Sequence, residues 1–158
     1  MTRIKDLLDG SLIIEEIAAT DKLGVLGEFA SLLVARGKVR DRDGLVRVIM
    51  EREAQGSTGI GDGIAIPHAK SRELRDMVVA FGKSSRGIDF ESLDGKPAHL
   101  FFLLVTPEDR PAEHLKTLAR ISRIMRNAAL REALTTCGSR QEIGRLIAEE
   151  DDRYPNGR

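Results

Sequence analysis

The 158-residue chain has a single cysteine, Cys137, which excludes an internal disulfide and a cysteine-ligated metal site. An inert or buried thiol is the remaining reading. An excess of one charge is also missing: 25 lysines and arginines balance 25 aspartates and glutamates. That balance argues against nucleic-acid binding, which normally shows a basic excess or stripe. No apolar run approaches the ~18 residues that span a membrane, and Met1-Thr-Arg-Ile-Lys-Asp6 has no signal-peptide core. A cytoplasmic protein without direct membrane insertion is therefore expected. Histidine occurs three times, at 68, 99 and 114, without the paired spacing of zinc motifs, so no metal is expected among them.

What remains is a chain with 41% hydrophobic and 32% charged residues. Its length suits one domain that buries roughly two thirds of its unfolded surface. Ile4, Leu7 and Leu8 predict a short opening helix or turn, and Ser11–Glu15 reads as a strand. Thr20 or Asp21 caps a helix with apolar residues from Leu23 to Val34, which Gly37 closes. Asp41 caps a second helix that runs into Glu51-Arg52-Glu53. Further strands are read at Ile64–Ile66, Met77–Phe81, Ile88–Phe90 and Ala98–Val105, with Ser84–Gly87 as a connection. Ala98–Val105 is apolar on both faces and reads as the central strand. Pro111 opens a helix whose inward stripe is read as His114, Leu115, Leu118, Ile121, Ser122 and Met125. Two helices follow, over Ala128–Leu134 and Gln141–Glu149, the second capped by Ser139 with Glu142. The expected fold is a single α/β domain over residues 1–150, a mixed sheet of about four or five strands flanked by helices. Residues 151–158 read as a polar C-terminal tail that frays.

Residues 51–70 organise the rest. Gly56, Gly59, Gly61 and Gly63 fall within eight positions, and such a loop leaves backbone N–H groups open to wrap an oxyanion. Ser57 and Thr58 add hydroxyl donors, and Arg52 brings a fixed, fork-shaped positive charge from the preceding helix. Pro67 is expected to stop the short strand from pairing further, which sets His68 at a strand end. Neither a Walker loop nor a dinucleotide fingerprint fits, because no Gly-Lys-Ser/Thr follows and the loop comes after a helix and opens a strand. A flexible surface loop with an incidental histidine is the plain alternative. His114 falls in a helix's first turn, where unpaired N–H groups collect, and either joins the site or packs at the helix start. His99, on the central strand between apolar neighbours, reads as structural.

At Glu51-Arg52-Glu53 and Gly56-Ser-Thr-Gly-Ile-Gly-Asp-Gly-Ile-Ala-Ile-Pro-His68-Ala-Lys70 the sequence resembles the active-site segment of the enzyme IIA components of the phosphoenolpyruvate-dependent phosphotransferase system, fructose/mannitol type. The resemblance covers about residues 3–150 and implies the same α/β fold. It implies that His68 is transiently phosphorylated through Nε2, that His114 in the Pro107–Leu115 segment is a second active-site histidine, and that no cofactor is required. The implied donor is a histidine-containing phosphocarrier protein, and the implied acceptor is a regulatory protein or an enzyme IIB. Gly56-Ser-Thr-Gly-Ile-Gly61 and a chain of one domain without a fused second carrier favour the nitrogen-regulatory branch. Asp62 and Ala69 depart from that branch's usual Asn and Gly, and His68-Ala-Lys70 is equally typical of fructose uptake, so a sugar-transport enzyme IIA stays open. A small-molecule binding domain with a decorative glycine loop is the third possibility.

Overall fold

A computed structural model describes residues 3–155. The elements are α1 (Ile4–Leu7), a 3-10 turn at Gly10–Leu12, β1 (Ile13–Ile14), α2 (Lys22–Ala35), α3 (Arg42–Glu53), β2 (Gly59–Gly61), β3 (Ile64–Ala65), β4 (His68–Ser71), β5 (Val78–Ile88), β6 (Ala98–Pro107), α4 (Pro111–Ile124), α5 (Ala128–Thr136) and α6 (Arg140–Asp152). Six strands form one mixed sheet in the order β1-β5-β6-β3-β2, with β4 also on β6. The expected α/β class holds, with one strand more than the upper count read from the sequence. Helices α2 and α3 pack on each other and α3 covers β4, while α1, α5 and α6 pack together against β1 and β5.

β6 is the spine. Its one edge pairs antiparallel with β5, and its other edge pairs parallel with β3 at Ile64↔Leu100 and with β4 at His68↔Leu104. Phe102 packs edge-on against Phe81 at 5.0 Å between ring centroids, and Phe101 against Phe90 at 5.5 Å. Such tilted pairs add to the area that the rings bury. All of β6 except the half-buried His99 is withdrawn from solvent, as a two-sided apolar run requires. Asp21 and Asp41 cap α2 and α3 by accepting from the N–H groups of Gly24 and Gly44. Ser139 does the same for α6 through Glu142 N–H.

The structure corrects several sequence expectations. Pro67 does not end pairing: its carbonyl accepts from Leu104 N–H at 3.0 Å, and the ladder resumes at His68, which therefore opens β4. Proline lacks only the donor, and a parallel ladder uses its acceptor. Ser84–Gly87 is not a connection but part of β5, where the register shifts between Lys83 and Ile88 and Gly87 adopts φ +85°. Ile88 ends that strand, so the separate edge strand expected at Ile88–Phe90 is absent. The Ser11–Glu15 strand shrinks to Ile13–Ile14, because the Asp9 side chain accepts from Ser11 N–H and coils the chain into the 3-10 turn. On α4, Leu115 is 67% exposed rather than inward. The buried face is His114, Thr117, Arg120, Ile121 and Ile124, in which the three polar side chains find partners in Thr106, Met77 and Asp151.

Arg120 donates through Nε to Asp151 Oδ1 at 2.6 Å and through Nη2 to the Asp151 carbonyl, and Lys5 N–H donates to Asp151 Oδ2. The tail expected from residue 151 therefore begins as the buried end of α6, because this ion pair ties α6 to α4 and α1; residues 156–158 lie outside those described. Asp151→Ala leaves the Arg120 guanidinium buried without its counter-charge. It should cost about 3–5 kcal/mol in urea unfolding, whereas a loss below about 1 kcal/mol, the range of an exposed pair, would contradict a buried clasp.

Candidate active site

A cleft of about 420 Å³ opens between the C-terminal turn of α3 and the first turn of α4, over the start of β4. Arg52 and Gln55 come from α3, His68 and Lys70 from β4, Glu108 from the loop after β6, and His114 from α4. The three residues singled out from the sequence, Arg52, His68 and His114, thus share one cavity. The imidazole centroids of His68 and His114 are 5.4 Å apart, with the rings inclined at 57°.

The His68 ring is 9% exposed, and its Nδ1 lies 2.8 Å from the Ile66 carbonyl. A carbonyl only accepts, so Nδ1 carries the ring proton and Nε2 is left with its lone pair. Burial pushes the His68 pKa below the usual histidine value, helped by the Arg52 charge, while the Ile66 carbonyl and the Glu53 carboxylate pull the other way. The ring is neutral at pH 7. His114 follows Pro111 and Arg110 in the first turn of α4, and its Nδ1 sits 2.7 Å from Thr106 Oγ1. Burial, with the nearby His68 and Lys70, lowers its pKa to about 4. Arg52 is fixed by donating from Nη1 to the Gly56 carbonyl at 2.8 Å.

The glycine loop is placed differently from the histidines. Ser57 Oγ donates to the Phe90 carbonyl and receives Gly59 N–H at 3.0 Å. Thr58 donates its N–H and its hydroxyl to Glu53. Gly61 belongs to β2, with its φ at +99°. The donors of Ser57 and Thr58 and the Gly59 amide are thus engaged inside the protein, and none of Ser57, Thr58, Gly59 and Gly61 lines the cleft. His99 stands apart, with Nδ1 on the Ser84 carbonyl at 2.8 Å and its ring against Gly87. Among the described residues no group of three or more His, Cys, Asp or Glu side chains is arranged to hold a metal ion.

Sequence reasoning gave no role to Glu53, Thr106 or Glu108. Glu53 enters there only as part of the Glu51-Arg52-Glu53 segment. A signal was nevertheless present: Leu45, Ile49 and Glu53 recur every four residues and share the buried face of α3.

A sheet edge that presents a neutral imidazole beside an arginine and a second neutral imidazole defines a paired-histidine α/β domain. Residues 6–150 match the family model described as "Phosphoenolpyruvate-dependent sugar phosphotransferase system, EIIA 2", and the chain belongs to that family. It is 39% identical over 149 residues to the fructose-specific EIIABC component of Bacillus subtilis, a match that takes in 94% of this chain and spans only 24% of that protein. It is 36% identical over 145 residues to a nitrogen regulatory protein of Bradyrhizobium diazoefficiens, covering 92% of this chain and 94% of the relative. The crystal structure of nitrogen regulatory protein IIA-Ntr from Neisseria meningitidis superposes with a TM-score of 0.85 at 30% identity, covering 91% of this chain and 98% of that one. Relatives thus come from both the nitrogen-regulatory and the sugar-specific branches. No helix among the described residues is long and apolar enough to cross a membrane.

The lowered pKa of His114 has a sign that can be tested. The folded protein holds this ring neutral down to about pH 4, whereas the unfolded chain takes up a proton near the ordinary histidine value of 6.5. The contribution to stability is complete above pH 6.5 and is lost as pH falls toward 4. His114→Gln, which cannot titrate, should flatten the decline in unfolding free energy between pH 6.5 and 5, above the range where carboxylates protonate. An identical slope in both proteins would contradict a buried neutral ring.

Proposed function

We propose that the protein is a phosphoryl carrier whose acceptor is His68 Nε2, loaded from a phosphorylated histidine-containing phosphocarrier protein and unloaded to a regulatory protein of the nitrogen branch. The observation that carries this reading is the contact of His68 Nδ1 with the Ile66 carbonyl, which leaves the other nitrogen as the nucleophile in a cleft shared with Arg52 and His114.

In the reaction, the Nε2 lone pair attacks the phosphorus of the donor phosphohistidine. The new N–P bond forms as the donor's N–P bond breaks, and that electron pair returns to the donor ring. The Nδ1 proton stays on His68, held by Ile66. Transfer passes through a loose, in-line transition state, so the protein contributes positioning and charge stabilisation rather than covalent steps. In this reading Arg52 balances charge on the equatorial oxygens, and neutral His114 donates a ring N–H to them. No metal or nucleotide takes part. Leu115 and the 37%-exposed Val48 offer apolar surface beside the cleft, with Glu51, Lys70 and Glu108 as a polar rim, a pattern suited to a transient partner.

The identity with the fructose-specific relative favours a second reading, in which the phosphoryl group passes to an enzyme IIB of a fructose- or mannitol-type uptake system. Capture of partners by the phosphorylated and unphosphorylated forms separates the two readings: recovery of an enzyme IIB supports uptake, and recovery of a regulatory protein supports the nitrogen branch.

His68→Ala should abolish phosphorylation by the phosphorylated phosphocarrier while the fold persists, and label retained in that variant would remove His68 from the acceptor role. Arg52→Ala should slow transfer about a hundredfold, as loss of one charge-stabilising donor does elsewhere. His114→Ala should slow transfer with an acceptor still present. Unchanged single-turnover rates in either variant would exclude that residue from the site.

A further inference from the structure

A chain of contacts runs from the first residue of α2 to the His68 ring. Lys22 Nζ lies 2.8 Å from Glu53 Oε1, the carboxylate of Glu53 accepts both donors of Thr58, the Thr58 carbonyl accepts from Ile66 N–H at 3.0 Å, and the Ile66 carbonyl takes the Nδ1 proton of His68. Both charged side chains are withdrawn from water, at 12% exposure for Lys22 and 1% for Glu53. Lys22 is held further by the Phe90 ring, 4.7 Å from its ammonium to the ring centroid, and by Glu91 at 3.4 Å. Ser57 Oγ on the Phe90 carbonyl fastens the same loop from its other side. Arg52, next to Glu53, donates to the Gly56 carbonyl of this loop. The segment that orients the acceptor ring and the segment that anchors the arginine therefore meet at one buried ion pair.

We propose that Lys22 and Glu53 are positioning residues for phosphoryl transfer: their ion pair holds the 56–58 loop that sets His68 and Arg52, and Lys22 offsets the charge of a carboxylate standing beside the acceptor. The proposal rests on His68 being the acceptor. A buried ion pair costs desolvation and is weak grounds for stability alone, so its place beside a reacting ring is the more economical account. The groups facing His68 are Glu51, Arg52 and Glu53 from α3, Lys70 from β4, Glu108 after β6 and His114 from α4. Of these, Arg52 lowers and Glu53 raises the proton affinity of the ring. Removing Lys22 leaves Glu53 uncompensated, and in a low-dielectric site that charge both favours protonation of His68 and repels an incoming phosphoryl group.

The test combines an NMR titration of the His68 ring with single-turnover transfer from the phosphorylated histidine phosphocarrier, in Lys22→Met, Lys22→Arg, Glu53→Gln and the double variant Lys22→Met/Glu53→Gln. Lys22→Met should raise the His68 pKa and slow transfer on the order of tenfold, the scale of a modest misplacement. Lys22→Arg should restore both. Glu53→Gln should move the pKa the opposite way, and the double variant should bring it back toward Glu53→Gln alone. A purely structural pair would slow transfer without these opposed shifts, and unchanged titration and rate in the folded single variants would overturn the proposal. Should wild-type protein accept no phosphoryl group, the carrier reading fails and this proposal falls with it, whereas normal wild-type transfer with unchanged titration and rate in the variants overturns this proposal alone. If Lys22→Met does not fold, Glu53→Gln and the double variant give the same titration readout; failure of all three to fold would make the pair structural and also overturn the proposal.

Discussion

The contact between His68 Nδ1 and the Ile66 carbonyl is the interaction on which the rest of the structure's chemistry depends. It fixes the tautomer, and the tautomer decides which nitrogen can act. The fold supplies it through a particular arrangement of one strand. β3 and β4 lie on the same edge of β6 with Pro67 between them, so Ile66 and His68 are held two residues apart by pairing on both sides. Pro67 withholds a donor at that point while its carbonyl stays bonded to Leu104 N–H. A ring that bonds to a carbonyl two residues earlier in the chain needs that rigidity. The buried spine β6 provides it.

The electrostatics follow from the same placement. Burial keeps both imidazoles neutral, and each lies where protonation of the other would raise its cost further. The result is an uncharged imidazole near a permanently charged guanidinium, the combination that the proposed transfer of an anionic group calls for. His114 is set by two elements at once, α4 through its backbone and β6 through Thr106 Oγ1, which accounts for its definite position at a helix start.

Much of this was legible in the sequence because it rests on local chemistry. Asp21, Asp41 and Ser139 announce their helices through capping, Ala98–Val105 announces a two-sided strand, and the segment Arg52 to Lys70 carries the family's pattern. The misreadings have a common origin in tertiary partners that no local rule contains. Thr117 and Arg120 look like surface residues until Met77 and Asp151 are found beneath them, so Leu115 was assigned a burial it does not have. The bulge that keeps Ser84–Gly87 within β5 depends on the His99 ring and the Ser84 carbonyl. Glu53 received no role from the sequence, because its partner Lys22 approaches from another helix. The glycine loop was read as a ring of free donors, yet its hydroxyls are used to hold the loop itself.

The account's central claim is that one particular nitrogen carries the phosphoryl group. The most direct measurement is 15N–31P coupling in protein labelled at its histidine rings and loaded from the phosphorylated phosphocarrier. The account predicts coupling at Nε2 of His68 with the proton still on Nδ1. Coupling at Nδ1, at His114, or at no histidine would contradict it.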